Sequence, residues 1–363
     1  MSFSGSYRAE DVHFLLKPLA LQDFVDVPEK EYLIQSGQRH YSEMLSPEAL
    51  PSERYLRVFR EACTANSRRM AQDCLALAAL IAERRGAEVT LVSLARAGTP
   101  VGVVLNRLLP AVFGRASSHY SLSIIRDRGI DQVALEHILA QGHAPESIVF
   151  VDGWTGKGVI SRELAAAIDE FNARRGTAID AGLYVLSDLA GTAACAASCD
   201  DYLIPSSILN ATVSGLVSRS ILNQAIGPGD FHGCVYYQQF EAHDQSQLFA
   251  DAVTAQALAL AKLEGACAAA ASDKESAAAV SRAYMQAALQ QHGISDVNMI
   301  KPGIGEATRV LLRRTPRLLI LRDADAPEVA HLALLAHEKN VPVVVDRALP
   351  YNAVSLIRSA LDG

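Results

Sequence analysis

Twice in this chain an apolar, strand-like run ends in a small-residue turn containing glycine and passes straight into a helical pattern. The first case is AEVTLVSLARAGTPVGVVL and the second is SIVFVDGWTGKGVISRELAAAI. A run that is apolar on both faces must be covered on both faces, so each unit calls for neighbouring strands and for helices above and below them. Further strands are expected at AGLYVLSDLA and DYLIPSS. Ahead of the first unit, Tyr55, Val58, Phe59, Cys63, Met70, Cys74, Leu77 and Ile81 recur at helical spacing between Ser52 and Arg85. Strands alternating with helices predict an α/β fold built on a mostly parallel sheet.

A chain of 363 residues exceeds what one core usually organises. Residues 1–60 read as an irregular extension or hood, interrupted by Pro18, Pro28, Pro47 and Pro51. Residues 61–265 hold the strand–helix alternation. Alanine dominates residues 244–291, which predicts helices, with 266–292 as a helical linker. Residues 293–363 then read as strand LLILRD, helix PEVAHLALLAHEKN, strand VPVVVD and helix AVSLIRSAL, a compact αβα unit. This last segment carries nine Lys or Arg against eight Asp or Glu, net +1, while the rest of the chain carries −8.

The overall charge of −7 argues against a whole-chain nucleic-acid coat. No apolar run reaches the roughly eighteen residues that a membrane span needs, and the polar start MSFSGSYRAED has no signal-peptide core. Cys63, Cys74, Cys195, Cys199, Cys234 and Cys267 are scattered without a CxxC pair, which predicts reduced thiols, no metal site and a cytoplasmic protein.

The two turns carry the chemistry. Asp152 is expected at the carboxyl end of a buried strand, where open parallel sheets bind ligands. Thr155, Gly156, Lys157 and Gly158 then open a helix and offer backbone N–H groups, a hydroxyl and a charge to an anion. An ATP-type P-loop needs glycine at position 151, which is Val151. The segment resembles instead the PRPP-binding signature of type I phosphoribosyltransferases. The resemblance implies that Asp152 holds the ribose and Thr155 to Gly158 the 5′-phosphate, although Gly153 replaces the usual second acid. SLARAGTPVGVVL resembles that family's pyrophosphate loop, which implies diphosphate contacts from Ala95, Arg96, Ala97, Gly98 and Thr99. Between the loops, Arg126 and Arg128 of HYSLSIIRDRGID would close over pyrophosphate as a catalytic hood; a solvated turn is the plainer reading. The implied reaction is glycosyl transfer from PRPP or a nucleotide, with Mg²⁺ bridging the PRPP oxygens. Ser206, Ser207, Asn210 and Ser214 are candidates for an acceptor pocket.

Taken together, SGQRHYSEMLSPE, SLARAG, IRDRGID, VDGWTGKG and IPSSILNATVSGLVSRSILN resemble the StiP family of tellurium-resistance and stress-response gene clusters. That family is phosphoribosyltransferase-like and also carries a cysteine-protease label. Cys195, Cys199 and Cys234, with His232 and His243 as bases, are the candidates for thiol chemistry, and small apolar packing is the simpler role for them. The C-terminal stretch MIKPGIGEATRVLLRRTPRLLILRD resembles the Pelota-type RNA-binding fold, which implies that Lys301, Gly303, Glu306 and Arg309 meet RNA at a helix N-terminus. The expected partners are therefore a nucleotide or PRPP-like small molecule and RNA, with no membrane, and a homo-oligomer is compatible with the sequence. Set against the transferase are two other functions: a non-catalytic nucleotide sensor or RNA-binding protein, and a cysteine protease.

Overall fold

The computed structural model describes residues 3–20, 24–265 and 274–359. In the larger unit the strands are β1 (His13–Leu15), β2 (Glu88–Leu94), β3 (Ala116–Leu122), β4 (Ile148–Thr155), β5 (Leu183–Asp188) and β6 (Cys195–Ser198). They form one sheet in the order β1-β3-β2-β4-β5-β6. Every neighbouring pair is parallel. The helices are α1 (Val27–Gln35), α2 (Glu53–Arg84), α3 (Thr99–Phe113), α4 (Gln132–Ala140), α5 (Val159–Arg175) and α6 (Ser246–Glu264).

Alternation along the strands sorts the core into two layers. Leu91, Val149, Val151 and Tyr184 pack with Met70, Leu77 and Ile81 of α2, Val101, Leu105 and Leu108 of α3, and Val253 of α6. Val92, Phe150 and Val185 face the other way, onto Leu135 and Ile138 of α4 and Leu164, Ile168 and Phe171 of α5. Each fully buried side chain of this size contributes about 1.5–3 kcal/mol. Ser52 begins α2 by accepting a hydrogen bond from Tyr55 N–H, and left-handed Gly114 ends α3.

The chain runs outward from β2 to β3 and then crosses back to the far side of β2 as β4. β2 and β4 therefore flank the reversal of strand order, and their carboxyl ends open the crevice where such sheets bind ligands. The N-terminal segment is woven into this unit. β1 pairs with β3, and Lys17–Pro18 pairs with Gly233–Cys234.

The C-terminal unit follows α7 (Lys274–Gln291). It comprises β7 (Ile300–Pro302), α8 (Ile304–Arg313), β8 (Pro316–Leu321), α9 (Ala330–Glu338), β9 (Val343–Val345) and β10 (Ala353–Ile357). Its sheet order is β7-β10-β8-β9, with β10 antiparallel to both neighbours and β8 parallel to β9. Ile304, Ala307 and Leu311 of α8 belong to the same apolar cluster as α2 and β2, so the two units share a continuous core.

Two elements differ from expectation. AVSLIRSAL is not a helix: Ala353–Ile357 is wholly buried between two strands, which needs the flat, β-branched surface that Val and Ile give. DYLIPSS holds no strand. The sixth strand is Cys195–Ser198, whose alanines carry little β preference and which is held by its pairing with β5. Cys267 and the first residues of the expected linker, 266–273, lie outside the described residues. No helix among the described residues is long and apolar enough to cross a membrane.

Candidate functional site

The two turns sit side by side. Ser93 of β2 pairs with Val151 of β4. A side chain at Gly98 would lie 2.4 Å from the Val151 carbonyl oxygen, so only glycine allows the first turn to pass the second strand. Both turns open on one cleft of about 1110 Å³, lined by Ala95, Arg96, Ala97, Asp152 and residues 154–161, and closed on the other side by the C-terminal unit.

Within the first turn the polar groups are already spoken for. Arg96 Nη1 lies 2.6 Å from Glu48 Oε1, with both side chains 11% exposed. The same guanidinium donates to Val217 O at 2.8 Å and to Asn210 Oδ1 at 3.3 Å. Thr99 is fully buried, its hydroxyl 2.8 Å from Ser121 Oγ. Gly98 and Thr99 do not line the cleft. Of the expected acceptor residues, only Asn210 does.

The second turn divides. Thr155 is buried, donates to the Asp188 carboxylate and accepts from Ala190 N–H at 3.1 Å. Asp188 also accepts from Thr192 and Ala193 N–H. The Thr155 hydroxyl is thus a structural clamp. Gly156, Lys157 and Gly158 face the cleft, and left-handed Gly158 begins α5 with no side-chain cap. Burial pushes the Asp152 carboxyl up to about 6, against a lowering by Arg309.

Arg126 and Arg128 occupy the turn of a tight hairpin, Ile124–Ile125 with Gly129–Ile130. Arg126 lies over the Tyr41 ring at 5.3 Å and lines the cleft. Arg128 does not line the cleft and pairs with Glu43, which does not line it either.

The expected RNA edge faces inward. Asp201, next to β6, accepts from Ile304 N–H at 2.8 Å and from Asn352 N–H at 2.7 Å. It therefore caps the α8 N-terminus from the other unit, and burial pushes its carboxyl up to about 6. Gly303 has φ +88°, and a side chain there would strike Leu189 and face Asp201. Arg309 stacks over Trp154 at 4.3 Å and pairs with Glu306 at 3.0 Å. Lys157 donates to Val297 O at 2.7 Å across the seam. Residues expected to hold a sugar phosphate and residues expected to hold RNA therefore line one cleft. The sequence reading missed Trp154, Asp188 and Asp201. Trp154 had a signal, as the chain's single tryptophan inside the second turn; Asp188 acts on the Thr155 hydroxyl and Asp201 on the Ile304 and Asn352 N–H groups, partners brought near only by folding.

Among the described residues no cysteine or histidine lines the cleft, and no group of three or more His, Cys, Asp or Glu is placed to hold a metal ion. Cys74, Cys195 and Cys234 are buried, with burial raising the Cys195 thiol and pushing Cys234 up to about 12. His232 Nδ1 is 2.8 Å from Ser123 Oγ rather than paired with a thiol. Cys63 and Cys199 are half-buried, and burial pushes Cys63 up to about 12.

The family described as "Tellurite-like stress resistance cysteine protease StiP" matches residues 5–254. "PELOTA RNA binding domain" matches residues 279–359. A protein of Acinetobacter baylyi named "Cysteine protease StiP" is 42% identical over 368 aligned positions, which cover 98% of this chain and 94% of that protein. Both the family and this relative bear a cysteine-protease description, and this overturns the expectation of a PRPP-dependent phosphoribosyltransferase or glycosyltransferase. The geometry gives a physical reason. The Arg96 guanidinium meant for diphosphate is neutralised by Glu48, and the Thr155 hydroxyl meant for phosphate serves Asp188.

Proposed function

The chain belongs to the StiP family and ends in a Pelota RNA-binding domain, and on that footing we propose that it is a cysteine-dependent protease of a stress response, with RNA binding assigned to residues 279–359. The observation that carries the reading is the 42% identity, along nearly the whole length of both chains, to a protein that bears this name. Thiol chemistry needs a sulfur that substrate can reach and that ionises. Of the two half-buried thiols among the described residues, Cys63 sits on α2 with its pKa pushed up to about 12. Among the described cysteines that leaves Cys199, just past the carboxyl end of β6 and ahead of Asp200 and Asp201, as the candidate nucleophile. The cleft, which Cys199 does not line, carries nine cationic against five acidic side chains in a chain of net charge −7 and so attracts acidic ligands.

The test is hydrolysis of a peptide library by the full chain, with and without iodoacetamide, and with Cys199→Ser beside Cys63→Ser. Loss of cleavage on alkylation and in Cys199→Ser alone supports the reading. Cleavage that survives alkylation and both substitutions sinks it. In fold, we read the six-stranded unit as a phosphoribosyltransferase-like scaffold, on the strength of its paired turns at the strand-order reversal, turned to other use. A second function, nucleotide or RNA binding without peptidase chemistry, is favoured by one observation: no described cysteine lines the cleft. An inert peptide panel together with RNA retention that falls steeply with salt would select it.

A further inference from the structure

We propose that Arg219 and Lys30, with the hydroxyls of Ser46 and Thr212, form a site for a single carboxylate on the wall of the cleft that the N-terminal segment helps to build. None of these residues belongs to either glycine turn. Arg219 lines the cleft and donates to the Met44 carbonyl, yet its Nη1 is buried with no hydrogen-bond partner among the described residues. Ser46 Oγ and Thr212 Oγ1 belong to the same lining and are buried and unpartnered as well. The chain brings the three together. Met44, which holds Arg219, precedes Ser46, and Glu48, which follows it, accepts from Ala211 N–H at 3.2 Å, next to Thr212. Buried polar atoms almost always find a hydrogen bond, so orphans gathered on one wall of a cleft mark a place that a ligand completes.

The charge left over sets the class of the ligand. Glu48 pairs with Arg96, Glu31 with Arg314 and Asp127 with Arg126. Lys30 of α1 has no hydrogen bond and no carboxylate at ion-pair distance among the described residues. Burial first, and then the Arg219 and Arg314 guanidiniums, lowers it to about 7. Arg219 stays charged, although burial lowers it to about 10. Its guanidinium lies over the Tyr41 ring at 5.5 Å, which holds it in place without neutralising it. One permanent positive charge is therefore buried without a partner, an arrangement that is costly until an anion joins it. A carboxylate carries the single negative charge required and can accept from Nη1, from the Lys30 ammonium and from a hydroxyl. A phosphate dianion carries one charge too many.

The lining also supplies apolar surface. Val27, Ile34, Leu45 and Phe240 face the same cleft, and they suit a carboxylate carried on a short apolar stem. Two sources share that chemistry: the side chain of a glutamate within a peptide, and the carboxyl terminus of a chain. The cleft volume of about 1110 Å³ admits a peptide of several residues. The peptide context rests on the proposed function. The carboxylate site itself does not, because it is read from binding and not from cleavage.

The experiment is calorimetric titration of the full chain with three short peptides of alanine and leucine. The first is blocked at both ends and holds one central glutamate, the second has glutamine there, and the third is the glutamine peptide with a free carboxyl terminus. Mass spectrometry of the recovered peptide reports cleavage separately, so the site and the peptidase reading can fail independently. A tenfold or greater preference for a carboxylate peptide over the blocked glutamine peptide is expected, abolished in Arg219→Met and reduced several-fold in Lys30→Met. Arg219→Lys keeps the charge and should retain most of the preference, which separates a lost contact from a misfolded variant; Lys30→Met decides alone if Arg219→Met does not fold. Preference for the glutamate peptide names a side chain, and preference for the third peptide names a chain terminus. Equal binding of all three, binding of none, or a preference that survives both methionine substitutions overturns the site. So does displacement of the glutamate peptide by an equal concentration of inorganic phosphate.

Discussion

The two turns at the strand-order reversal look alike in sequence and differ in what folding has done to them. In the first, Arg96 and Thr99 are satisfied from within by Glu48 and Ser121. In the second, only Thr155 is so consumed, and Lys157 is left among other cations with a carbonyl for a partner. A strand–turn–helix motif therefore marks where a ligand can sit, but the residues that decide whether it still does come from elsewhere in the chain. The first turn has become framework. The second keeps unspent charge.

The hardest way to break this contrast is to remove Glu48. Its carboxylate pairs with Arg96 and accepts from Ala211 N–H, and its loss strands a guanidinium that is 11% exposed. Glu48→Ala should cost about 3–5 kcal/mol of stability, read from urea denaturation. Adding Arg96→Met should recover much of that cost, because the unpaired charge then goes too. If Glu48→Ala unfolds at the wild-type midpoint, the first turn is not framework, and Arg96 is free for a ligand after all.

Next in size is the threonine of each turn. Thr155→Val removes a donor to buried Asp188 and an acceptor for Ala190 N–H, and should cost about 1–3 kcal/mol. Thr99→Val leaves only the neutral hydroxyl of Ser121 unpaired and should cost less, about 1 kcal/mol. Equal losses would mean that Asp188 is not the anchor of the second turn.

These assignments also show what was legible in the sequence. The parallel sheet was readable because β2, β4 and β5 are runs of β-branched and aliphatic residues bounded by turns, and α2 because its apolar positions recur every three or four residues. β1 is three residues and β6 is Cys-Ala-Ala-Ser, so neither declares itself; pairing alone makes them strands. Ala353–Ile357 misled because a short apolar run fits a buried helix or a buried strand equally well. At the site, Asp152, Lys157, Lys301 and Arg309 were visible as residue types beside glycine turns. Their convergence was not, since the sequence gives no distance between the second turn and β7. Nor was the satisfaction of Arg96 and Thr155, whose partners lie far off along the chain.

The smallest effect tests the second turn most directly, because its sign is opposite to that of the other changes. Lys157 is lowered to about 7 in the folded protein and returns to its ordinary value near 10.5 on unfolding. Between those values the unfolded chain holds a proton that the folded chain lacks, so the lysine makes stability climb with pH across that window; below pH 7 both states are protonated and the slope disappears. Lys157→Met should leave the melting temperature at pH 7 unchanged or raise it by at most about 2 °C, and should flatten the climb from pH 7 to 8.5, where the buried thiols and phenols remain mostly protonated. The flattening should be partial, because burial also lowers Lys30 to about 7 and lowers Lys301 and Lys339, and it should deepen when Lys30→Met is added. A variant that loses stability as Glu48→Ala does would show that Lys157 is framework as well, and would erase the distinction between the turns.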